Sequence, residues 1–325
     1  MYCYYTGNEK EAVQEEKREG TIRHRDRKNH PVFFAFRRIV QYNSLRMDGI
    51  LLLNKPAGMT SFAAVSRCRR IFHEKKTGHT GTLDPEATGL LIILLGKYTK
   101  LLPYAVSDHK RYSAEMVFGV RTDTDDIWGS VTDRKEPGMI RQEDLQKAAD
   151  AMIGRREQIP PMVSAVRVNG KKLYEYARKG QQAERKPRPA EFYSLKVSKE
   201  NDVWHLDAEV SGGTYIRTLI RDLGDMIGEY AVMSALKRTG IEHLSLADAC
   251  TLEEAEKNPV FLEPRRILRP DIPAVECECV DDVLHGRSVL LDRNDPLIVF
   301  VQSEQVLAAY EKRQDGRYHC ARGLL

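Results

Sequence analysis

The chain has 325 residues, 42% hydrophobic and 30% charged, with a mean hydropathy of −0.48. This composition suits a soluble globular protein of about two domains, and the longest apolar stretch, residues 90–95, is far too short to span a bilayer. The net charge of +4 is carried wholly by residues 1–46, with 10 Lys/Arg against 6 Asp/Glu, so net charge alone gives no nucleic-acid signal for 47–325.

Residues 1–46 show no sustained periodicity and read as a disordered extension or a misassigned leader, with Met47 the expected functional start. Residues 49–53 have the pattern of a short buried strand, followed by the turn residues Asn54-Lys55-Pro56-Ala57-Gly58. Thr60-Ser61 caps a helix whose apolar positions Phe62, Val65, Ile71 and Phe72 keep roughly helical spacing. A loop is expected over 75–84 and a buried strand over 90–95. Tyr112, Ala114, Met116 and Phe118 alternate with Ser113, Glu115 and Val117, which predicts a strand with Tyr112 on its more apolar face. Residues 204–210 alternate in the same way, and helical segments fall near 142–152 and 172–179. An amphipathic helix over 215–227 carries Arg217 and Arg221 on its polar face. The Pro-punctuated stretch 264–273 reads as a linker to a small β-rich unit, with strands at 288–291, 297–301, 306–310 and 318–321. Helices and strands mix without βαβ alternation, which favours an α+β fold with an antiparallel or mixed sheet.

Six cysteines, at 3, 68, 250, 277, 279 and 320, include no Cys-x-x-Cys pair. They are expected to be reduced and cytosolic, and no structural metal is expected. Basic residues cluster at Arg67, Arg69, Arg70, Lys75 and Lys76 and again over 167–188, while acids gather elsewhere. That segregation suits a phosphate-facing side, although solvated helix faces would look the same.

Phosphate-loop, dinucleotide-binding, hydrolase-elbow and zinc-peptidase templates are all missing. Asp123, Asp125 and Asp126 invite a magnesium reading, but their position between a strand and Trp128-Gly129 also suits a solvated loop with local hydrogen bonds. The most informative segment is Gly78-His79-Thr80-Gly81-Thr82-Leu83-Asp84-Pro85-Glu86-Ala87-Thr88-Gly89. Its glycines let backbone approach a ligand closely, and Asp84 before Pro85 is one fixed carboxylate. Asp84 is equally a helix cap with Pro85 in the first turn.

That segment closely resembles the catalytic loop of the TruB family of tRNA pseudouridine synthases. Four further blocks are similar to the same family, in its order: Leu53–Ser61; Lys110-Arg111-Tyr112 with residues 119–126; residues 159–167 with Gly170 and 174–180; and Gly213-Thr214-Tyr215-Ile216-Arg217-Thr218-Leu219. The resemblance covers about 47–270 well and the C-terminal unit loosely. It implies a pseudouridine-synthase catalytic domain over 47–270, with a largely antiparallel mixed sheet, and a PUA-like RNA-binding domain over 271–325.

The implied reaction isomerises uridine 55 in the T-loop of tRNA, with no cofactor and no metal. Asp84 is the implied nucleophile, Arg217 its partner, and Tyr112 the residue that packs on the base and is implicated in proton removal from C5. His79 is implied to stack in the RNA loop the base vacates, and Tyr215 and Leu236 to line the base pocket. Lys55 and Pro56 would support the loop. The basic 167–188 segment would grip the RNA stem. A cytoplasmic monomer acting on the T-arm, with no membrane and no required protein partner, fits this reading. The chief alternative is a non-catalytic RNA-binding or remodelling protein on the same scaffold.

Overall fold

The computed structural model describes residues 47–324, and the expected 1–46 extension lies outside them. The first half runs β1 (Gly49–Lys55), α1 (Ser61–Ile71), β2 (Thr77–Thr80), β3 (Thr88–Leu95) and β4 (Lys110–Phe118), then a hairpin of β5 (Val120–Thr122) and β6 (Val131–Arg134). Next come α2 (Gln142–Met152), β7 (Gly154–Gln158), the small hairpin β8 (Arg167–Val168) and β9 (Lys171–Lys172), and α3 (Leu173–Ala177). They are followed by β10 (Arg188–Glu200), β11 (Val203–Val210), α4 (Ile216–Met226), β12 (Ala231–Ile241), β13 (Leu244–Ser245) and α5 (Leu252–Lys257). The C-terminal part holds β14 (Ala274–Glu276), α6 (Val280–Leu284), β15 (Leu297–Gln302), β16 (Gln305–Lys312) and β17 (Tyr318–Gly323).

The main sheet is ordered β1-β3-β12-β4-β11-β10-β7. Its pairings are antiparallel except β3 with β12, which meet only at Lys237↔Thr88 and Arg238↔Gly89. Beyond that contact β2 occupies the same edge of β3, from Thr77↔Leu95 to Thr80↔Ile92. The sheet therefore forks, and the loop from Gly81 to Ala87 leaves the fork. Gly89 makes the fork possible: its φ is +103°, and a Cβ there would lie 2.3 Å from the Arg238 carbonyl oxygen.

Burial on both faces explains the unbroken apolar run of β3. Leu91, Ile93 and Leu95 join Leu51 and Leu53 against α1 and α5. Leu90, Ile92 and Leu94 join Ile50 and Leu52 against Val299, Val301, Val306 and Ala309 of the C-terminal sheet and Leu324 just beyond it. That sheet, ordered β14-β15-β16-β17, turns its alternate residues Ile298 and Phe300 into a core of its own. A third core packs β4, β10, β11 and β12 against α2 and α4.

Three sequence expectations are corrected. Residues 75–84 are not wholly a loop, because they contain β2. Residues 288–291 form no strand, only the bridge Val289↔Tyr318. The 264–273 stretch is not a free linker: Ile267, Leu268 and Ile272 are buried in the core shared by the two sheets, so the apolar residues between the prolines decide its fate. Among the described residues no helix is long and apolar enough to cross a membrane, and Cys68, Cys250, Cys277, Cys279 and Cys320 are free.

Candidate active site

A cavity of about 280 Å³ opens beside the fork and gathers Asp84, Tyr112, Tyr215, Arg217 and Leu236, five residues the sequence nominates. Lys110 and Ser164, which it does not, line the same space. Tyr112 on β4 and Leu236 on β12 come together because Tyr112 pairs with Arg238 and Ala114 with Leu236 across the ladder. Both are largely buried, with only their outer surface facing the cavity.

Arg217 is the anchor. Its Nε lies 2.9 Å from Asp84 Oδ2 and its Nη2 donates to Asp84 Oδ1 at 3.2 Å, a two-point clamp. Nη1 donates to the Thr124 carbonyl and Nη2 to the Val163 carbonyl, each at 2.9 Å, and Asp126 Oδ2 stands 3.6 Å from Nη1. Arg217 is thus not solvated although it lies on the polar helix face: its side chain is 3% exposed, whereas Asp84 keeps 39%. The carboxylate can meet a substrate while the guanidinium holds it still.

The Asp123 cluster is only partly the solvated loop the sequence suggests. Asp123 accepts from the Ser130 N–H, but Asp125 pairs with Arg221 at 3.0 Å and Asp126 faces Arg217. Burial pushes both carboxyls above their ordinary value, opposed by Arg221 at Asp125 and by the Thr124 hydroxyl and Arg217 at Asp126. The two carboxylates are counter-ions to α4.

The loop bearing Asp84 is pinned from three sides. Ser61 Oγ accepts from the Leu83 N–H at 2.9 Å and donates to the Leu83 carbonyl at 3.2 Å. Lys55 Nζ donates to the carbonyls of Pro56, Met59 and Pro85. Burial lowers its pKa to about 8, against the pull of Glu86 and Asp84. Arg238 Nη2 donates to the Gly81 carbonyl at 3.0 Å. Gln158 then fixes the start of α4 reciprocally, accepting from the Tyr215 N–H at 3.0 Å and donating to its carbonyl at 3.2 Å. Sequence reasoning missed Ser61, Gln158 and Arg238 as site residues. Ser61 closes one of the family-like blocks and Arg238 is a charged residue two positions beyond Leu236 on the same strand, whereas Gln158 carried no signal.

His79 is not among the cavity residues. It lies on β2 opposite Ile93, with Nδ1 buried and without a hydrogen-bond partner among the described residues. Burial and then the Arg238 charge hold its pKa below the usual histidine value, so the ring is neutral at pH 7. The 159–187 excursion borders the cavity through Ser164 and Ala165, and its Lys172 and Arg178 stand over the Tyr174 ring at 5.5 and 5.3 Å.

Comparison with known proteins gives the family of the chain. Residues 69–216 match the profile described as TruB family pseudouridylate synthase (N terminal domain). The tRNA pseudouridine synthase B of Streptococcus sanguinis strain SK36 is 41% identical over 283 residues, 83% of this chain and 97% of that protein. The tRNA pseudouridine synthase B of Oceanobacillus iheyensis strain HTE831 is 40% identical over 281 residues, 82% and 93% respectively. A chain of the Cbf5-Nop10-Gar1 complex shares the fold with a TM-score of 0.62 at 23% identity, covering 85% of each chain.

Proposed function

This chain belongs to the TruB family of pseudouridylate synthases, and we propose that it isomerises uridine 55 in the T-loop of tRNA with Asp84 as nucleophile. One observation carries the assignment: a partly exposed carboxylate held at two points by a buried arginine inside a nucleoside-sized cavity. The relatives' names support tRNA as the substrate.

The reaction breaks the N1–C1′ bond, turns the base and joins C5 to C1′. A carboxylate nucleophile divides that step by forming a covalent intermediate. Arg217 holds Asp84 in place and aims it, since a planar guanidinium matches a carboxylate edge to edge. Tyr112 packs on the base and its hydroxyl serves proton removal from C5. Tyr215 and Leu236 close the base pocket. A base inside a folded RNA loop cannot enter so small a cavity without leaving its stack, and the neutral ring of His79 fills the place it leaves. Residues 47–270 carry the chemistry, residues 271–325 add RNA contacts, and the basic 167–188 segment holds the stem through phosphates. The enzyme acts as a cytoplasmic monomer.

The test is tritium release from tRNA labelled with [5-³H]uridine, followed by mapping of the product. Stoichiometric release with pseudouridine at position 55 is expected. Release from another position would overturn the site assignment, and binding without release would favour a remodelling protein.

A further inference from the structure

Among the described residues, two buried cations stand beside the cavity without a counter-ion in contact. Arg238 is fully buried: its Nε donates to the Leu90 carbonyl at 2.8 Å and Nη2 to the Gly81 carbonyl, while Nη1 is buried with no partner among the described residues. Lys110 is 8% exposed and lines the cavity, and among the described residues its Nζ makes no hydrogen bond or ion pair. Arg238 Nη1 and Lys110 Nζ each lie 3.5 Å from the point a Cβ on Gly81 would occupy. Gly81, at φ +69°, leaves that point empty. Asp108 and Glu242 favour the charged lysine only from beyond contact distance, and they are outweighed by burial and the like charge of Arg238. Removing two positive charges from water without an anion is costly, so the arrangement is completed by an anion arriving with the substrate.

We propose that Lys110 is a substrate-binding residue whose ammonium takes a non-bridging oxygen of the phosphodiester adjoining the nucleotide in the cavity, with Arg238 as a positioning residue behind it. This rests on the reading of the cavity as a uridine site. Uracil and ribose carry no charge, whereas a flipped nucleotide brings its two phosphodiesters to the cavity mouth. Lys110 and Tyr112 share one face of β4, two residues and roughly 7 Å apart. The strand thus offers an aromatic face for the base and a cation for its phosphate. Arg238, tied to two carbonyls, cannot turn away, and its charge directs the flexible lysine toward the cavity.

The experiment measures binding of an unmodified T-arm stem-loop RNA to wild type, Lys110→Met and Lys110→Arg over a range of salt. The methionine variant is expected to bind about tenfold more weakly, with the slope of log K against log salt shallower by roughly 0.7–0.9, the loss of one phosphate contact. The arginine variant keeps the slope. A single neutral methylphosphonate on one side of the target uridine is expected to weaken wild type about tenfold and to leave Lys110→Met unchanged. Equal affinity and slope for wild type and the methionine variant would overturn the proposal. So would a methylphosphonate penalty of the same size in both proteins at either linkage. Wild-type tritium release from the same RNA separates the two readings: without it the uridine assignment fails, and with it only the Lys110 assignment is at stake. Matching thermal midpoints exclude misfolding, and the arginine variant decides the slope if the methionine variant does not fold.

Discussion

Asp84 and Arg217 lie 133 positions apart in the sequence, yet they share two short contacts. Arg217→Lys keeps the charge but cannot reproduce the side-on clamp or reach the Thr124 and Val163 carbonyls together. Its turnover is expected to fall by roughly 10²–10³-fold, with tRNA affinity unchanged; single-turnover kinetics beside a binding titration check this. Lys110 gives a prediction for the RNA-free protein. Burial, followed by the Arg238 charge, brings its pKa down to about 8 from 10.5, despite Asp108 and Glu242. Below pH 8 the folded protein bears the whole cost of the buried charge. Between pH 8 and 10.5 the unfolded chain binds the proton more tightly, so wild-type stability rises relative to a neutral variant. Lys110→Met is therefore expected to be more stable at pH 7 by up to about 3 kcal/mol, with the gap closing toward pH 10.5 in denaturant titrations. A gap independent of pH would contradict the account. The resemblance made Asp84 and Arg217 legible, but not the burial of Arg217, because helical spacing alone reads its face as polar. The contacts of Gln158 and Ser61 were illegible because their partners, Tyr215 and Leu83, are distant in sequence.

The elements most legible in the sequence are those whose periodicity matches a single buried face. Helix α2 and strands β4 and β11 are of this kind. Strand β2 was not legible: Thr77-Gly78-His79-Thr80 has no apolar alternation and pairs only where β12 leaves the edge of β3 open. The β2–β3 loop depends in turn on α1. Thr60 caps that helix, its Oγ1 accepting from the Ala63 N–H at 3.0 Å, and the next residue, Ser61, holds both polar groups of Leu83. Ser61→Ala leaves those buried groups unpaired and is expected to cost about 1–3 kcal/mol. It should lower turnover more than tRNA affinity, because the loop it frees carries Asp84 rather than the basic surface. Denaturant titration with steady-state kinetics checks both effects, and a variant with wild-type turnover would separate the loop's position from Ser61.

At the scale of the molecule, composition and mixed patterning sufficed for an α+β fold, but the 264–273 stretch was read as a linker and is packed into the core. Proline spacing over 264–273 suggested a tether, whereas Ile267, Leu268 and Ile272 join strands of both sheets in one core. Removing residues 271–325 would uncover Ile50, Leu52, Leu90, Ile92 and Leu94, which face that sheet. The truncated protein is expected to melt at a lower temperature and to aggregate, as monitored by calorimetry and light scattering; an unchanged midpoint would mean that the catalytic sheet is stable alone. The fork between β2, β3 and β12 places one carboxylate at the cavity, and the central claim is that this carboxylate attacks the substrate. The most direct test is single-turnover conversion of tRNA by Asp84→Asn, with affinity measured on the same preparation. No pseudouridine and a Kd within about twofold of wild type are predicted, since binding rests mainly on phosphate contacts elsewhere. Measurable conversion by the asparagine variant would contradict the account.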